Sequence, residues 1–377
     1  MANILKLHQK AAASPLKEPT NPFQKYGLKS NPFPSMALFN STADDPRRNG
    51  TIYDRRFRAE EELRFVQMFL QTTGGAPPPA LGFVRLGPQV GSRGSGKSAF
   101  LHHLMQRVNK QDWDGLAIDP ESPDLLALAV HLLPHPRIHR TFADLVRLIF
   151  VTMAQHGLFA LVDRQVRAAM FVQIAPEERV EALAALDAAQ VDALFESDTS
   201  FRKLLVDERL TEQEYLDALR RTIQEDVKAP DKNRFLFEYL QIGSLERLWE
   251  GWARDRFENP RLRKELADWF VDGLAPILMA GGYRRMIVLV DEFEKIFIYQ
   301  TDRMREEFLD TLRQRLYEQD SAAARKQFVT TVLTLHPSIE RELAIYWERV
   351  GLKGVAPLHD VVRSRSVELR APTRDRL

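Results

Sequence analysis

The strongest constraint on the fold of this chain is the run of eight residues at 91–98, which reads Gly-Ser-Arg-Gly-Ser-Gly-Lys-Ser. It fits the pattern G-x-x-x-x-G-K-[ST], in which a glycine-rich turn joins a buried strand to a helix. The sequence supplies both neighbours, because an apolar stretch at 81–86 precedes the run and an amphipathic stretch at 99–105 follows it. A turn of this kind leads directly into the amino end of a helix, where backbone N–H groups and the helix dipole favour the binding of a phosphate. The run therefore predicts a phosphate-binding loop within an α/β fold.

Two side chains of this run carry specific chemistry. Lys97 is predicted to reach the β- and γ-phosphates of a nucleoside triphosphate, and Ser98 to place its hydroxyl on Mg²⁺. The alternative is a glycine-rich turn that binds nothing, and the flanking strand and helix argue against it. The residues predicted to contact the nucleotide are Gly91, Ser92, Arg93, Gly94, Ser95, Gly96, Lys97, Ser98 and Ala99.

A second polar feature follows an apolar run at 286–290, which is bounded by Asp291 and Glu292. A short run that is apolar on both faces suits a buried parallel strand. Asp291 is predicted to hold Mg²⁺, and Glu292 to act as the general base that polarises the attacking water. Glu294 and Lys295 come next, and the sequence favours the exposed start of a helix for both.

These residues resemble a known family. Lys97 and Ser98, together with Asp291 and Glu292, are similar to the Walker A and Walker B motifs of AAA+ ATPases. The resemblance implies a three-layer α/β P-loop NTPase domain with a parallel sheet of about five strands. It also implies ATP and Mg²⁺ as ligands and hydrolysis of the β–γ phosphoanhydride as the activity.

The segments ahead of the first predicted strand extend the resemblance. Residues 54–63 look like the charged helix start that precedes this strand in AAA+ modules. Residues 26–28, Tyr-Gly-Leu, and 31–33, Asn-Pro-Phe, look like the leader of the initiator and transposition-regulator branch. The resemblance covers residues from about 20 to 110 and from about 283 to 373.

The chain departs from that family pattern between its two motifs. Lys97 and Asp291 are far apart in the sequence, so we expect a large helical insertion at 125–280 after a second strand near 116–119. The predicted organisation is an extended leader at 1–50, a P-loop ATPase core at 51–124 and 281–377, and this insertion. The sequence shows no evident C-terminal lid.

Further site residues are expected from the same resemblance. Thr334, at the end of a β-branched stretch, is the candidate polar sensor of the γ-phosphate, a role for which His336 is the alternative. Arg363 and Arg365 precede the last predicted strand, where AAA+ oligomers carry an arginine finger that reaches a neighbouring site. For both arginines, a plain surface position is the alternative.

Three histidines recur every fourth residue at His131, His135 and His139. This spacing could align metal ligands on a helix, but Pro134 and Pro136 would break such a helix. We therefore do not expect a metal site at these histidines.

Composition limits the remaining possibilities. The 377-residue chain has no cysteine, which excludes disulfides, thiolate zinc sites and a cysteine nucleophile. No apolar run approaches the ~18 residues that span a membrane, and we expect no signal peptide and a cytoplasmic protein. Residues 1–150 are net basic and 151–280 net acidic, which favours a polyanion partner for the first segment and a protein partner for the second.

The sequence thus predicts an ATPase that acts as an oligomeric switch on nucleic acid or on a partner protein bound to nucleic acid. The alternative is a scaffold subunit that binds ATP with little turnover, as in a bacterial genome-defence (antiviral) complex. The first is favoured by the Asp291–Glu292 pair, and the second by the absence of an evident lid.

Overall fold

The computed structural model divides the chain into two units, Met1–Tyr53 and Asp54–Leu377. The residues that it describes all lie in the second unit, so the predicted leader at 1–50 lies outside them. The described residues are 58–72, 77–86, 96–119, 122–174, 190, 193, 195, 201, 212–223, 234–255, 265–318, 327–358 and 365–370.

A five-stranded, entirely parallel sheet forms the centre of the second unit. The spatial order is β2-β3-β4-β1-β5. The strands are β1 (Leu81–Leu86), β2 (Ala127–Leu132), β3 (Arg285–Val290), β4 (Val329–Thr334) and β5 (Ser366–Leu369). All residues of β2, β3 and β4 are buried, as expected for parallel strands covered by helices. The prediction of an α/β fold with about five parallel strands is confirmed.

Helices separate the strands along the chain. The α-helices are α1 (Ala59–Phe69), α2 (Lys97–Lys110), α3 (Phe142–Gln155), α4 (Leu158–Ile174), α5 (Glu212–Ile223), α6 (Arg234–Ile242), α7 (Leu245–Asp255), α8 (Glu265–Asp268), α9 (Ala275–Ala280), α10 (Asp302–Arg313), α11 (Pro337–Arg349) and α12 (Leu352–Val355). Shorter 3₁₀ turns lie at Pro123–Leu125 and Phe293–Phe297, and π-helical turns at Trp269–Leu274 and Gln314–Glu318. Within the described ranges, no single helix is long and apolar enough to cross a membrane; α3 and α4 pass that test only as a pair bent by 79°.

The second strand lies further along the chain than the sequence predicts. Residues 116–118 form bends, and the second strand is β2, which begins eleven residues after Leu116. The prediction was wrong because Leu116 and Ile118 are flanked by polar and glycine residues, whereas Ala127–Leu132 is fully buried against β3. β2 therefore lies inside the range assigned to the insertion, and the helices that lead to β3 begin with α3.

These helices share one hydrophobic core with the sheet. Phe150 of α3 stacks on Trp249 of α7, with ring centroids 5.6 Å apart and planes within 7°. The same cluster of buried side chains includes Leu128 of β2 and Val288 of β3. The helical segment is consequently part of the same compact unit as the sheet, and its boundary at 125–280 as a separate domain stays a prediction.

A buried ionic network ties α1 to α2, the helix that follows the glycine-rich run. Glu62 of α1 is only 1% exposed. Its Oε1 lies 2.6 Å from Nε2 of His103, and its Oε2 lies 3.8 Å from NH1 of Arg107. Buried charges are costly unless they are paired, so this network fixes the orientation of α2 relative to α1.

Asp163 is a buried carboxylate that caps the start of α7. Its two oxygens accept the backbone N–H of Leu245 at 3.0 and 2.9 Å, and Oδ2 also accepts the hydroxyl of Ser244 at 3.0 Å. Burial raises the pKa of Asp163 to about 6, although these hydrogen bonds and Arg167 act in the opposite direction. The carboxylate therefore keeps its charge at neutral pH at a cost to the folded state.

This raised pKa predicts a pH-dependent stability. The Asp163 carboxyl binds its proton more tightly in the folded state than in the unfolded state. Protonation of Asp163 therefore stabilises the folded state fully below about pH 4, and this stabilisation is lost as the pH rises through 6. The expected loss is about 3 kcal/mol. Urea unfolding from pH 4.5 to 7 measures the free energy of unfolding of the wild type and of Asp163→Asn. The difference between the two proteins should fall as the pH rises, because contributions from other titratable groups cancel in it. A pH-independent difference would contradict the prediction.

Candidate functional site

The candidate site forms where the carboxyl ends of the central strands meet. Parallel strands place their carboxyl ends at one edge of a sheet, so segments distant in sequence converge there. Asp291 follows β3 directly, Thr334 ends β4, and α2 follows the glycine-rich run after β1. Because β4 lies between β1 and β3, Thr334 comes between the two predicted motifs.

The first turn of α2 has backbone N–H groups that the helix itself does not satisfy. Its N-cap, Gly96, has φ +76°, a left-handed conformation that suits glycine, and among the described residues no side chain caps the helix. The first N–H groups of a helix have no partner within the helix, so those of Lys97, Ser98 and Ala99 are suited to an anion. Residues Gly91, Ser92, Arg93, Gly94 and Ser95 lie outside the described residues.

Asp291 is the centre of a compact hydrogen-bonded cluster. The hydroxyl of Ser98 donates to its Oδ2. The hydroxyl of Thr334 donates to its Oδ1 at 2.6 Å. Asp291 and Thr334 are both fully buried. The two predicted metal ligands, Ser98 and Asp291, are thus in direct contact, with the predicted sensor Thr334 beside them.

The surroundings of Asp291 keep it ionised. Burial by itself would raise the pKa of this carboxyl, but His131, Ser98 and Thr334 together lower it to about 2. A buried, ionised carboxylate beside a serine hydroxyl offers the hard oxygen ligands that Mg²⁺ prefers. Within the described residues, no three His, Asp or Glu side chains cluster as a metal site.

Glu292 has an unusual backbone conformation. Its φ of +49° and ψ of +48° lie in the left-handed region, which is rare for a residue other than glycine. Its N–H donates both to the hydroxyl of Thr334, at 2.8 Å, and to Oδ1 of Asp291, at 3.0 Å. Strained backbone of this kind concentrates at functional sites, and here two buried acceptors hold it in place.

The carboxylate of Glu292 is ion-paired with Lys295, one helical turn later. The side chain of Glu292 is 41% exposed, so water reaches it. Glu292, the predicted general base, therefore lies at the site but has a cationic partner. That partner, Lys295, was expected from the sequence at the exposed start of a helix.

Glu294 is a site residue that the sequence analysis missed. It is half-buried, and its Oε2 is buried without a hydrogen-bond partner in the described part of the chain. Burial raises its pKa, with a further contribution from Glu292, whereas Lys97 and the backbone N–H of His336 lower it. The pattern Asp-Glu-x-Glu was the available signal, because it places a third carboxylate, Glu294, three residues after Asp291.

His131 is the second missed residue. It lies on β2, and its Nε2 is 3.9 Å from Oδ2 of Asp291. Its ring lies 6.0 Å from that of His102 on α2, and His102 lies 5.8 Å from His156. Burial, aided by the neighbouring histidines, lowers the pKa of His102 to about 3, so this ring is neutral at pH 7. Three imidazoles thus extend from Asp291 towards the turn between α3 and α4.

Of the two predicted arginine fingers, the structure describes only Arg365, which is not part of this cluster. Arg365 directly precedes β5, so it lies at the amino edge of the sheet, opposite the edge that carries Asp291. Arg363 lies outside the described residues. The assignment of either arginine to a neighbouring subunit's site stays a prediction.

The two hydrogen bonds of Thr334 predict the effect of its removal. Thr334→Val should leave the N–H of Glu292 with one acceptor fewer and Asp291 with one donor fewer, at a cost of about 1–3 kcal/mol in the free energy of unfolding. Thr334→Ser keeps the hydroxyl and should restore most of this loss. Urea denaturation of the three proteins measures it, and equal stability of the valine and serine variants would contradict the assignment.

Comparisons with protein-family models, with curated proteins and with solved structures find no match to this chain.

Proposed function

We propose that this protein is an AAA+-like ATPase of the P-loop class, which binds ATP with Mg²⁺ and hydrolyses the β–γ phosphoanhydride. One observation carries the proposal: the Ser98 hydroxyl donates to the Asp291 carboxylate. The sequence patterns had assigned these two residues, far apart in the chain, to the same metal ion. Their contact supports a shared function.

The residues present fit the two ligands. Lys97 and the uncapped first turn of α2 suit the phosphates, and Ser98 with Asp291 suits Mg²⁺. When bound, Mg²⁺ would neutralise charge on the phosphate oxygens. Thr334 keeps Asp291 in place and fixes the backbone of Glu292 at the same time.

Glu292 is the proposed general base for hydrolysis. Attack of a water oxygen on the γ-phosphorus breaks the bond to the β–γ bridging oxygen, and the proton of that water passes to the Glu292 carboxylate. Glu292 suits this role better than Glu294, because its carboxylate is partly exposed and a water molecule can reach it. The contact with Lys295 must then open or shift as the base takes the proton.

The ion pair between Glu292 and Lys295 favours a second candidate function. A general base engaged by Lys295 suits a protein that binds ATP and rarely turns it over, as in a scaffold subunit of a genome-defence complex. The oligomeric switch and the scaffold both require nucleotide binding, and both allow a nucleic-acid-associated partner. They differ in turnover.

The deciding experiment uses the full chain. Isothermal titration with Mg·ATP should show one saturable site per chain, and phosphate release with and without double-stranded DNA then measures turnover. Sustained release of at least about 1 per second, within the ordinary enzyme range, supports the ATPase. Binding with negligible release under both conditions supports the scaffold, and the absence of any ATP binding contradicts both.

A further inference from the structure

A cavity of about 720 Å³ lies at the amino edge of the sheet, away from Asp291. It is bordered by the last turns of α2, the first turns of α4, and Tyr283, which precedes β3. Its volume falls within the range of about 300–1,000 Å³ that is typical of small-molecule sites. The proposed function makes no use of this cavity, which we name the amino-edge cavity.

The charges that line the amino-edge cavity are all positive. Among the described residues that line it, Lys110 and Arg164 are the charged side chains, and none is Asp or Glu. His156 also lines it, and burial lowers the pKa of His156, so this ring is neutral at pH 7. A concave surface with two cations and no carboxylate favours an anion.

Uncharged donors lie on the same walls. Burial strongly raises the pKa of Tyr283, against the influence of Arg164, so its phenol keeps its proton and remains a donor. Helix α4, seventeen residues long, begins at Leu158 on the cavity wall, so its positive dipole end lies there. At the end of α2, the N–H groups of Gln111 and Asp112 donate to the carbonyls of Val108 and Arg107.

The remaining walls indicate the size and nature of the ligand. Asn109 and Gln106 are engaged elsewhere, with the backbone of Ala129 and with His102. Met105, Leu158 and Leu161 form an apolar wall. The amino-edge cavity thus combines cations and hydrogen-bond donors, which suit an anion, with an apolar surface, which suits the uncharged part of an organic molecule.

We propose that the amino-edge cavity binds a small organic phosphate, with Arg164 and Lys110 as the residues that hold its phosphate group. Arginine matches phosphate geometry with a planar fork of donors, and lysine adds a point charge. The helix start at Leu158 adds a favourable partial charge. The apolar wall contacts the non-phosphate part of the ligand.

The test uses AMP as the probe and the full chain with Lys97→Ala, which removes the main cation of the proposed ATP site. Isothermal titration should show one saturable AMP site in this background, and adenosine, which lacks the phosphate, should not bind. Adding Arg164→Gln or Lys110→Gln to this background should weaken AMP binding at least about tenfold. This is the loss of affinity expected when one charge-assisted hydrogen bond is removed. Arg137→Gln, at an exposed arginine outside the cavity, is the matched control and should leave the affinity unchanged.

Three results would overturn the proposal: no saturable AMP binding in the Lys97→Ala chain, equal binding of adenosine and AMP, or AMP binding that survives both cavity substitutions. Lys110 is exposed, so Lys110→Gln keeps the test decisive if Arg164→Gln does not fold. The result is independent of the ATPase proposal, because loss of AMP binding in Arg164→Gln and Lys110→Gln assigns the binding to the amino-edge cavity, whereas AMP bound at the glycine-rich run would survive both substitutions.

Discussion

Replacing Lys97 with alanine should weaken the binding of Mg·ATP by about 10²- to 10⁴-fold. Lys97 is the first residue of α2 and the lysine of the glycine-rich run at 91–98. Its ammonium is expected to form charge-assisted hydrogen bonds to two phosphates, each contributing about 1.5–3 kcal/mol. Isothermal titration of the full chain measures the effect.

The matched control is Lys353→Ala, because Lys353 is 63% exposed and pairs with Glu348 on the surface. This variant should bind Mg·ATP as the wild type does. Thermal unfolding should show that both variants fold. If Lys97→Ala bound ATP with unchanged affinity, the glycine-rich run would not be a nucleotide site.

Replacing Glu292 with glutamine should lower the rate of phosphate release by about 10²- to 10⁴-fold, with ATP affinity largely retained. The amide keeps the size of the side chain and leaves the backbone contacts to Thr334 and Asp291 in place. It cannot accept the proton of the attacking water. Steady-state phosphate release and a parallel binding titration separate the two effects.

Two neighbouring variants make this result specific. Lys295→Gln removes the cation that pairs with Glu292, so turnover should rise if that pair restrains the base. Glu294→Gln should have a much smaller effect than Glu292→Gln, because the carboxylate of Glu294 is half-buried. Loss of turnover in Glu294→Gln with near-normal turnover in Glu292→Gln would transfer the base assignment to Glu294.

Taken alone, the sequence determined the α/β type of fold and which residues to propose as members of the candidate site. A glycine-rich run between an apolar and an amphipathic segment, together with an apolar run ended by Asp291 and Glu292, is a local pattern, and local patterns are readable without coordinates. The parallel sheet and the meeting of Ser98 with Asp291 agree with it. The position of Thr334 was also expected, because a polar residue that ends a buried strand is visible in the sequence, whereas its hydrogen bonds to Asp291 and Glu292 were not foreseen and its role as a sensor stays a prediction.

Only the tertiary structure decided which groups surround that site. The position of β2, and with it the approach of His131 to Asp291, depended on burial against β3, whereas the apolar residues at 116–119 gave an equally plausible local pattern. The burial of Glu294 likewise depends on elements remote in sequence. The pKa of a buried carboxyl such as that of Asp163 depends on residues that the fold brings together. The same holds for the charges that line a cavity, and no local spacing in the sequence encodes that proximity.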